Sequence, residues 1–591
     1  MKRAPRHAFD SILLLGGTMS STEQCLLVVG IDFGTTYSGY AYSFNYEYAL
    51  DPLKINVNKL TRTSHGANFY KVPTAILFHR SRTDDQSVYF GNEAEETYAD
   101  LVIEKESHNW LLFRQFKMNL YYVKNLSRET MLESACGVHH KALDVFSKSI
   151  GYFKRHLMES VKNEVATITM DDINWVITVP AIWNDAAKQF MTEAAVEAGI
   201  KKNHLMLALE PEAASLYCRI LPVDRNEDAS NQINASQPGT KYMTLDIGGG
   251  TVDVTVHQIE SDGRLTEIHK ASGGAWGGTR VDENFIKKLH QYCGQQTYEE
   301  FATEHPADRV ELQHYFELAK RRTTNVLEGE WINIHIPYEL KCKWNRSIEH
   351  SEYKWAGDKI RMKREVFEKL FESSIQSIIN HLYELFKALQ NLNIMFLVGG
   401  FSECRILQDA VKREFQQRVA AIRVPRDAGS AVMLGAVLYG HDQSMIWKRI
   451  SRSTYGVGVW TDFDPKIHSP GKKCVVEGKE WCKDTFDTFL KANHTYECGQ
   501  EIHKVFHPLK SDQKEVSIPV YISQNVEVKY VTDPNCKMIG CLRLEMPDTT
   551  LGKNRPIDVT FRVGGTNLQV FAIDRQHAET VQAQFDFLSH N

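Results

Sequence analysis

Two aspartates stand at the ends of apolar runs, each followed by glycine and threonine: Asp32 in GIDFGTTYSG (residues 30–39) and Asp246 in LDIGGGTVDV (residues 245–254). Glycine reaches positive φ and carries no Cβ, so the amides of such a turn can approach a phosphate closely, while threonine hydroxyls add hydrogen bonds. Paired carboxylates beside a polyphosphate hold Mg²⁺, often through its waters, because that ion dehydrates reluctantly. One such segment fits an ordinary hairpin turn better. Two copies on two strands point instead to a phosphate clamp.

A third segment, YFELAKRRTTN (residues 315–325), spaces Glu317, Lys320, Arg321 and Thr324 along one helical face. That face offers a carboxylate to ribose hydroxyls, an ammonium to a phosphate or the ribose, and a guanidinium plane to stack on adenine. A solvated Glu–Arg pair has the same spacing. In MFLVGGFSE (residues 395–403) a strand run ends in Gly399 and Gly400, suited to close passage of a ligand. There is no Gly-x-x-x-x-Gly-Lys-Ser/Thr, and no Gly-x-Gly-x-x-Gly follows a strand, which excludes P-loop and dinucleotide-binding designs. GGAWGGTR, from Gly273, lacks the lysine, and no His-Glu-x-x-His or nucleophile triad is present.

These residues need a scaffold of several domains, since 591 residues exceed what one core usually supports. Residues 26–440 alternate apolar strand runs with amphipathic helical stretches, an α/β pattern. Strands are expected at Leu26–Ile31, Trp175–Val179, Tyr242–Leu245 and Met395–Val398. A helix is expected over 361–389, with Phe367, Leu370, Phe371, Ile375, Ile378, Leu382 and Leu385 as one stripe. Asp224–Gly239 reads as a polar loop. Beyond Gly440 short alternating strands take over: Val516, Ile518, Val520 and Ile522 share one face, Ile557, Val559, Phe561 and Val563 another, and Leu568–Ile573 returns antiparallel after Gly564–Gly565. This texture predicts a β-sandwich. A net charge of −5 without long basic runs argues against nucleic acid or an anionic membrane as partner, and no apolar run is long enough to span a bilayer. Eleven scattered cysteines without a Cys-x-x-Cys pair read as reduced thiols, hence a cytoplasmic protein.

In their order along the chain these segments resemble the heat-shock 70 kDa chaperone family, within the actin and sugar-kinase superfamily. VVGIDFGTTYSG looks like its first phosphate loop, WVITVPAIWNDAAKQFMTEAAVEAG (175–199) its first connecting segment, and LDIGGGTVDV its second phosphate loop. ALEPEAAS (208–215) is similar to the segment carrying its metal-side glutamate, and FLVGGFSE to its adenosine motif. GTTYSGYAYSF, FKMNLY and YGVGVW look closest to a divergent branch. The resemblance implies ATP or ADP with Mg²⁺ as ligands. Asp32 and Asp246 would hold the metal's water shell, and Glu210 would support that shell and the attacking water. Gly34, Thr35, Thr36, Tyr37, Gly248, Gly249, Gly250 and Thr251 would cradle the phosphates, Thr251 counting with Lys117, Glu210 and Asp246 among the catalytic residues. Lys117, in FRQFKMNL, would orient water on the γ-phosphate; Glu317, Lys320, Arg321 and Thr324, with Gly399 and Gly400, would hold the adenosine; Pro180 would be an interdomain switch.

Departures accompany the likeness. Phe401-Ser402-Glu403 replaces the family's second adenine-stacking arginine, with Arg405 two places late. GHDQSMIWKRISRS (440–453) stands in place of the acidic-leucine linker. RPIDVTFRVGGTNLQVFAIDR (555–575) resembles part of the family's β-sandwich, but the helical lid and acidic tail have no counterpart, so co-chaperone docking through such a tail is not expected. The resulting expectation is a leader at 1–25, a two-lobed actin-like ATP-binding domain at 26–440, a linker at 441–455 and a lidless β-sandwich at 456–591. Its function would be that of an atypical, slow ATPase coupling nucleotide state to protein clients or signalling partners. The alternative is a nucleotide-sensing scaffold with negligible turnover; a small-molecule kinase of the same superfamily has no use for the sandwich.

Overall fold

A computed structural model describes residues 25–57, 70–82, 87–221, 235–325, 331–344, 351–564, 568–575, 580–583 and 585–588, without the side chains of 322–325. The expected leader up to residue 24, the polar loop up to residue 234 and Gly565 lie outside the described residues.

The apolar runs become strands because both of their faces are covered. Leu27–Asp32, buried at every position, pairs antiparallel with Tyr37–Phe44 and parallel with Ile173–Val179, which pairs in parallel with Leu205–Leu209. The same wiring recurs in a second lobe. Lys241–Ile247 pairs antiparallel with Val252–Ile259 and parallel with Ile394–Val398, which carries Ala421–Arg423 on its far side. Each lobe therefore opens with a hairpin whose turn follows an aspartate. The helix expected over 361–389 runs Arg364–Ala388 and buries Phe367, Leu370, Phe371, Ile378, Leu382 and Leu385, while 359–363 is a strand.

Two helices join the lobes. Glu210–Ile220 follows Leu205–Leu209 of the first sheet, and Ala431–His441 follows Ala421–Arg423 of the second. Ala431–His441 is apolar all round and buried over nearly its whole length, as a core helix must be. Together they form a cluster that takes Val28 and Val176 from one sheet and Tyr242, Phe396 and Val398 from the other. The helices meet backbone to backbone at Gly435, where a Cβ would fall 1.7 Å from the Ala213 carbonyl oxygen.

The C-terminal part holds two antiparallel sheets around one core. Lys473–Val476, Lys479–Leu490, Thr454–Asp462, Glu515–Ser523 and Cys536–Glu545 make one sheet; Glu501–Phe506, Ile557–Val563, Leu568–Asp574 and Thr580–Gln582 make the other. Val516, Ile518 and Val520 face Val559, Phe561 and Val570 across it. The return strand at Leu568 is antiparallel to Ile557–Val563.

The stretch expected as linker contains a strand, Ile446–Ile450, that pairs in parallel with Leu265–Gly274 and takes Thr495–Glu497 on its other edge. The second lobe's sheet thus runs without a break into the C-terminal part. Arg449 donates to Glu212 at 2.6 Å, with both side chains largely buried, and the Ile450 amide donates to Glu267 at 2.7 Å. Removing one partner of such a pair strands a charge in low dielectric. Further fastenings run to the first lobe: Tyr455 to Asp185 at 3.2 Å, Arg452 to the Ala181 carbonyl, and the Phe587 amide to Gln189 at 2.8 Å. Among the described residues, no helix is long and apolar enough to cross a membrane.

Two tests follow from this packing. Gly435→Ala should destabilise the chain by about 3 kcal/mol, because the obstacle is a backbone carbonyl that cannot rotate away; an unchanged thermal midpoint would refute the backbone contact. His257, on Val252–Ile259 and within 3.1 Å of Ser215, is held down at about 3 by burial, with Arg449 and Arg219 adding to it. As pH falls below its ordinary value of 6.5 the unfolded chain takes up a proton that the folded chain refuses until about 3, so stability declines across that window. Between pH 6.5 and pH 5 this amounts to about 2 kcal/mol. Paired melts should show a shallower acid decline for His257→Leu than for the wild type.

Candidate functional site

The two hairpin turns face one another across a cleft of about 1630 Å³ between the lobes. Their contact requires glycine. A Cβ at Gly249 would stand 2.3 Å from Thr36 Oγ1, and one at Gly250 would stand 2.5 Å from Thr35 Oγ1. The second turn is braced from behind by a segment whose glycines had suggested no role: the amides of Gly277, Gly278 and Thr279 donate to the carbonyls of Gly250, Gly248 and Gly249 at 3.2, 3.1 and 2.7 Å. With those carbonyls engaged behind it, the turn is held in place against the cleft.

Below the turns lies a concentration of buried carboxylates. Asp32, Glu210 and Asp246 line the cleft at 5, 7 and 5 % exposure, and Asp253, fully buried, stands opposite Asp246 on the second hairpin. Burial first, then Lys117 opposing it and Asp253 and Asp32 reinforcing it, leaves Glu210 raised to about 7. Asp246 is driven well above the usual carboxylate range by burial and by Glu210, Asp253 and Asp32. Both shifts describe a site with too much negative charge for its cations. Lys117, on the short turn Phe116–Met118 and 1 % exposed, donates to Glu210 and lies 5.4 Å from the Trp183 ring. A second ammonium, Lys71, donates to Asp32.

These donors suit Mg²⁺, which prefers oxygen ligands and keeps its waters. Among the described residues, no three His, Cys, Asp or Glu are grouped so as to hold an ion on their own.

At the other end of the cleft, helix Pro306–Asn325 presents Glu317, Lys320 and Arg321. Lys320 pairs with Glu317 at 2.5 Å and Asp282 at 2.6 Å, and Arg321 donates to Glu317 at 2.8 Å. Burial would raise Glu317, but Lys320 and Arg321 overcome it and hold the carboxyl at about 2. The Arg321 guanidinium lies over the Tyr37 ring at 4.2 Å, so a residue of the second lobe reaches the first phosphate turn. Thr324 is on the same helix, but its side chain lies outside the described ones. Gly399 and Gly400 line the cleft beside Phe401, which stacks on Phe371 at 6.2 Å. Arg405 does not line it; Arg426 does.

The structure thus gathers into one cleft every residue proposed for nucleotide, metal or catalysis whose side chain is described, while Pro180 does not line it. Sequence reasoning passed over Asp253 and Lys71. Alternation along the second hairpin strand places Asp253 opposite Asp246 and was a usable signal, whereas nothing local marks Lys71. In nucleotide-free solution Asp246→Asn should relieve the mutual repulsion and raise the protein's stability by ~1 kcal/mol; calorimetry giving a lower midpoint instead would show that the carboxylates do not repel one another there.

A sequence model described as Hsp70 protein matches residues 126–469. Heat shock 70 kDa protein 12A of Homo sapiens is 34% identical over 641 aligned positions, covering 97% of this chain and 93% of the relative. The Mus musculus protein of that name is 35% identical with the same coverage, and heat shock 70 kDa protein 12B of Homo sapiens is 33% identical over 636 positions, covering 95% and 91%. Membership implies nucleotide and Mg²⁺ as ligands in general terms. The match of the model and the likeness along nearly the whole chain agree with the two-lobed cleft: the chain belongs to the Hsp70 family, and its lobes form that family's actin-like nucleotide-binding fold.

Proposed function

We propose that this protein binds ATP with Mg²⁺ in the interlobe cleft, hydrolyses it slowly, and uses the nucleotide state to govern protein binding by its C-terminal part, read as a lidless β-sandwich. One observation carries the reading: the buried Lys117–Glu210 ion pair lies beneath two glycine-threonine turns that touch each other.

Phosphoryl transfer asks for positioning and charge neutralisation rather than covalent chemistry. Thr35, Thr36 and Tyr37 would offer amides and hydroxyls from one lobe, and Gly248–Thr251 from the other, so that phosphates join the lobes. Lys117 would point one ammonium proton at the γ-phosphate or the attacking water. Glu210, balanced near neutrality, is suited to accept a hydrogen bond from that water and orient it. When bound, Mg²⁺ would neutralise phosphate charge, with Asp32 and Asp246 holding its waters. Arg321, already stacked on Tyr37, is placed to lie against a base, while Phe401 offers an apolar edge where the family has a second arginine.

A path toward the C-terminal part supports coupling. Asp253, next to the second turn, accepts from the Ile182 amide at 2.9 Å, and the neighbouring Ala181 carbonyl accepts from Arg452, just beyond the added strand. Pro180 immediately precedes these two residues.

Single-turnover ATP hydrolysis, measured beside direct nucleotide binding, tests the assignment. Lys117→Ala and Asp246→Asn should each lower the hydrolysis rate by roughly 100-fold or more, while Lys117→Ala still binds. Tight binding by the wild type with hydrolysis no faster than in the variants would instead identify a nucleotide-sensing scaffold.

A further inference from the structure

The floor of the cleft holds an ammonium group that the phosphate-binding reading does not use. Lys71 immediately precedes the short strand Val72–Pro73, and its side chain is 18% exposed. Its Nζ donates to Asp32 Oδ2 at 2.5 Å and to the Gly429 carbonyl at 2.5 Å. Asp32 belongs to the first lobe's opening strand; Gly429 belongs to the turn that begins the second lobe's last helix. Lys71 therefore sits on the carboxylate assigned to the metal's water shell and crosses between the lobes. Its charge also acts on Asp246.

We infer that Lys71 is a built-in cation of the phosphate site, so that nucleotide diphosphate binds this protein with little dependence on a divalent ion. The argument is one of charge. Asp32, Asp246, Glu210 and Asp253 surround the floor, and Lys117 is committed to Glu210. Without a second cation, a diphosphate entering this space meets an unpaired Asp32 carboxylate at close range in low dielectric, where the contact is strongly repulsive. Lys71 neutralises that carboxylate and still has a third N–H, beyond those given to Asp32 and Gly429, to donate to a phosphate oxygen. Mg²⁺ and Lys71 then compete for Asp32. The divalent ion gains less here than at a site of bare carboxylates, because binding must release an ion pair already formed.

This inference rests on the reading of the cleft as a nucleotide site. The test is calorimetric binding of ADP to the full chain, in excess EDTA and in excess Mg²⁺, for the wild type, Lys71→Met and Lys71→Arg. The wild type should bind within about tenfold of equally in the two conditions. Lys71→Met should lose roughly 100-fold in EDTA while changing only a few-fold in Mg²⁺, and Lys71→Arg should restore most of the EDTA binding. The same Mg²⁺-to-EDTA ratio in all three proteins overturns the role of Lys71 and leaves the nucleotide site standing. No ADP binding by any folded protein in either condition overturns both. A collapse of Lys71→Met in both conditions, with Lys71→Arg intact, also counts against the inference, since it makes Lys71 a general anchor rather than a substitute for the ion.

Discussion

Carboxylates buried where two lobes meet are the constraint around which this molecule is arranged. Asp32, Glu210, Asp246 and Asp253 come from different strands and a helix and converge with almost no exposed surface of their own. In low dielectric such groups must be paired, protonated or neutralised by a ligand. Lys117 and Lys71 supply two partners, and the raised Glu210 and Asp246 register what remains uncompensated. The cleft is thus strained toward an occupant that brings cations or takes up donors, and the surrounding packing sustains that strain.

That packing is a repeated unit used twice. Each lobe opens with an antiparallel hairpin, adds two parallel strands and sends a helix into the shared core. Because the two helices touch at Gly435 and Ala213, the hairpin turns are brought from opposite lobes to the point where Gly249 meets Thr36. The close helix contact and the close turn contact are parts of the same geometry. Widening either would separate the threonines of one turn from the glycines of the other.

The added strand Ile446–Ile450 extends this logic outward. An edge strand with unpaired amides invites a partner, and here the edge of the second lobe's sheet is taken by the chain itself. Arg449 and the Ile450 amide are drawn to Glu212 and Glu267, so the junction repeats on a smaller scale the pairing of buried charge seen in the cleft. The C-terminal part is consequently joined to the lobes by a sheet and by charged contacts made within the stretch expected as a linker, 441–455.

Local chemistry was legible in the sequence. The two glycine-threonine turns, the 3.6-residue stripe of Arg364–Ala388, the alternation at Val516–Ile522 and the helical face of Glu317, Lys320 and Arg321 are patterns each written along a single turn or element, set by backbone geometry and the side on which apolar groups fall. The family likeness followed from their order. What only the tertiary structure decided is which distant groups share a space: Lys71 with Asp32 and Gly429, Gly277–Thr279 behind Gly248–Gly250, Arg452 with Ala181, and Ile446–Ile450 on the edge at Leu265. Such pairings depend on strand register and on how two lobes close, which involve the whole chain at once. No spacing along the sequence encodes a lysine's distance to a carboxylate it meets only after both lobes have folded.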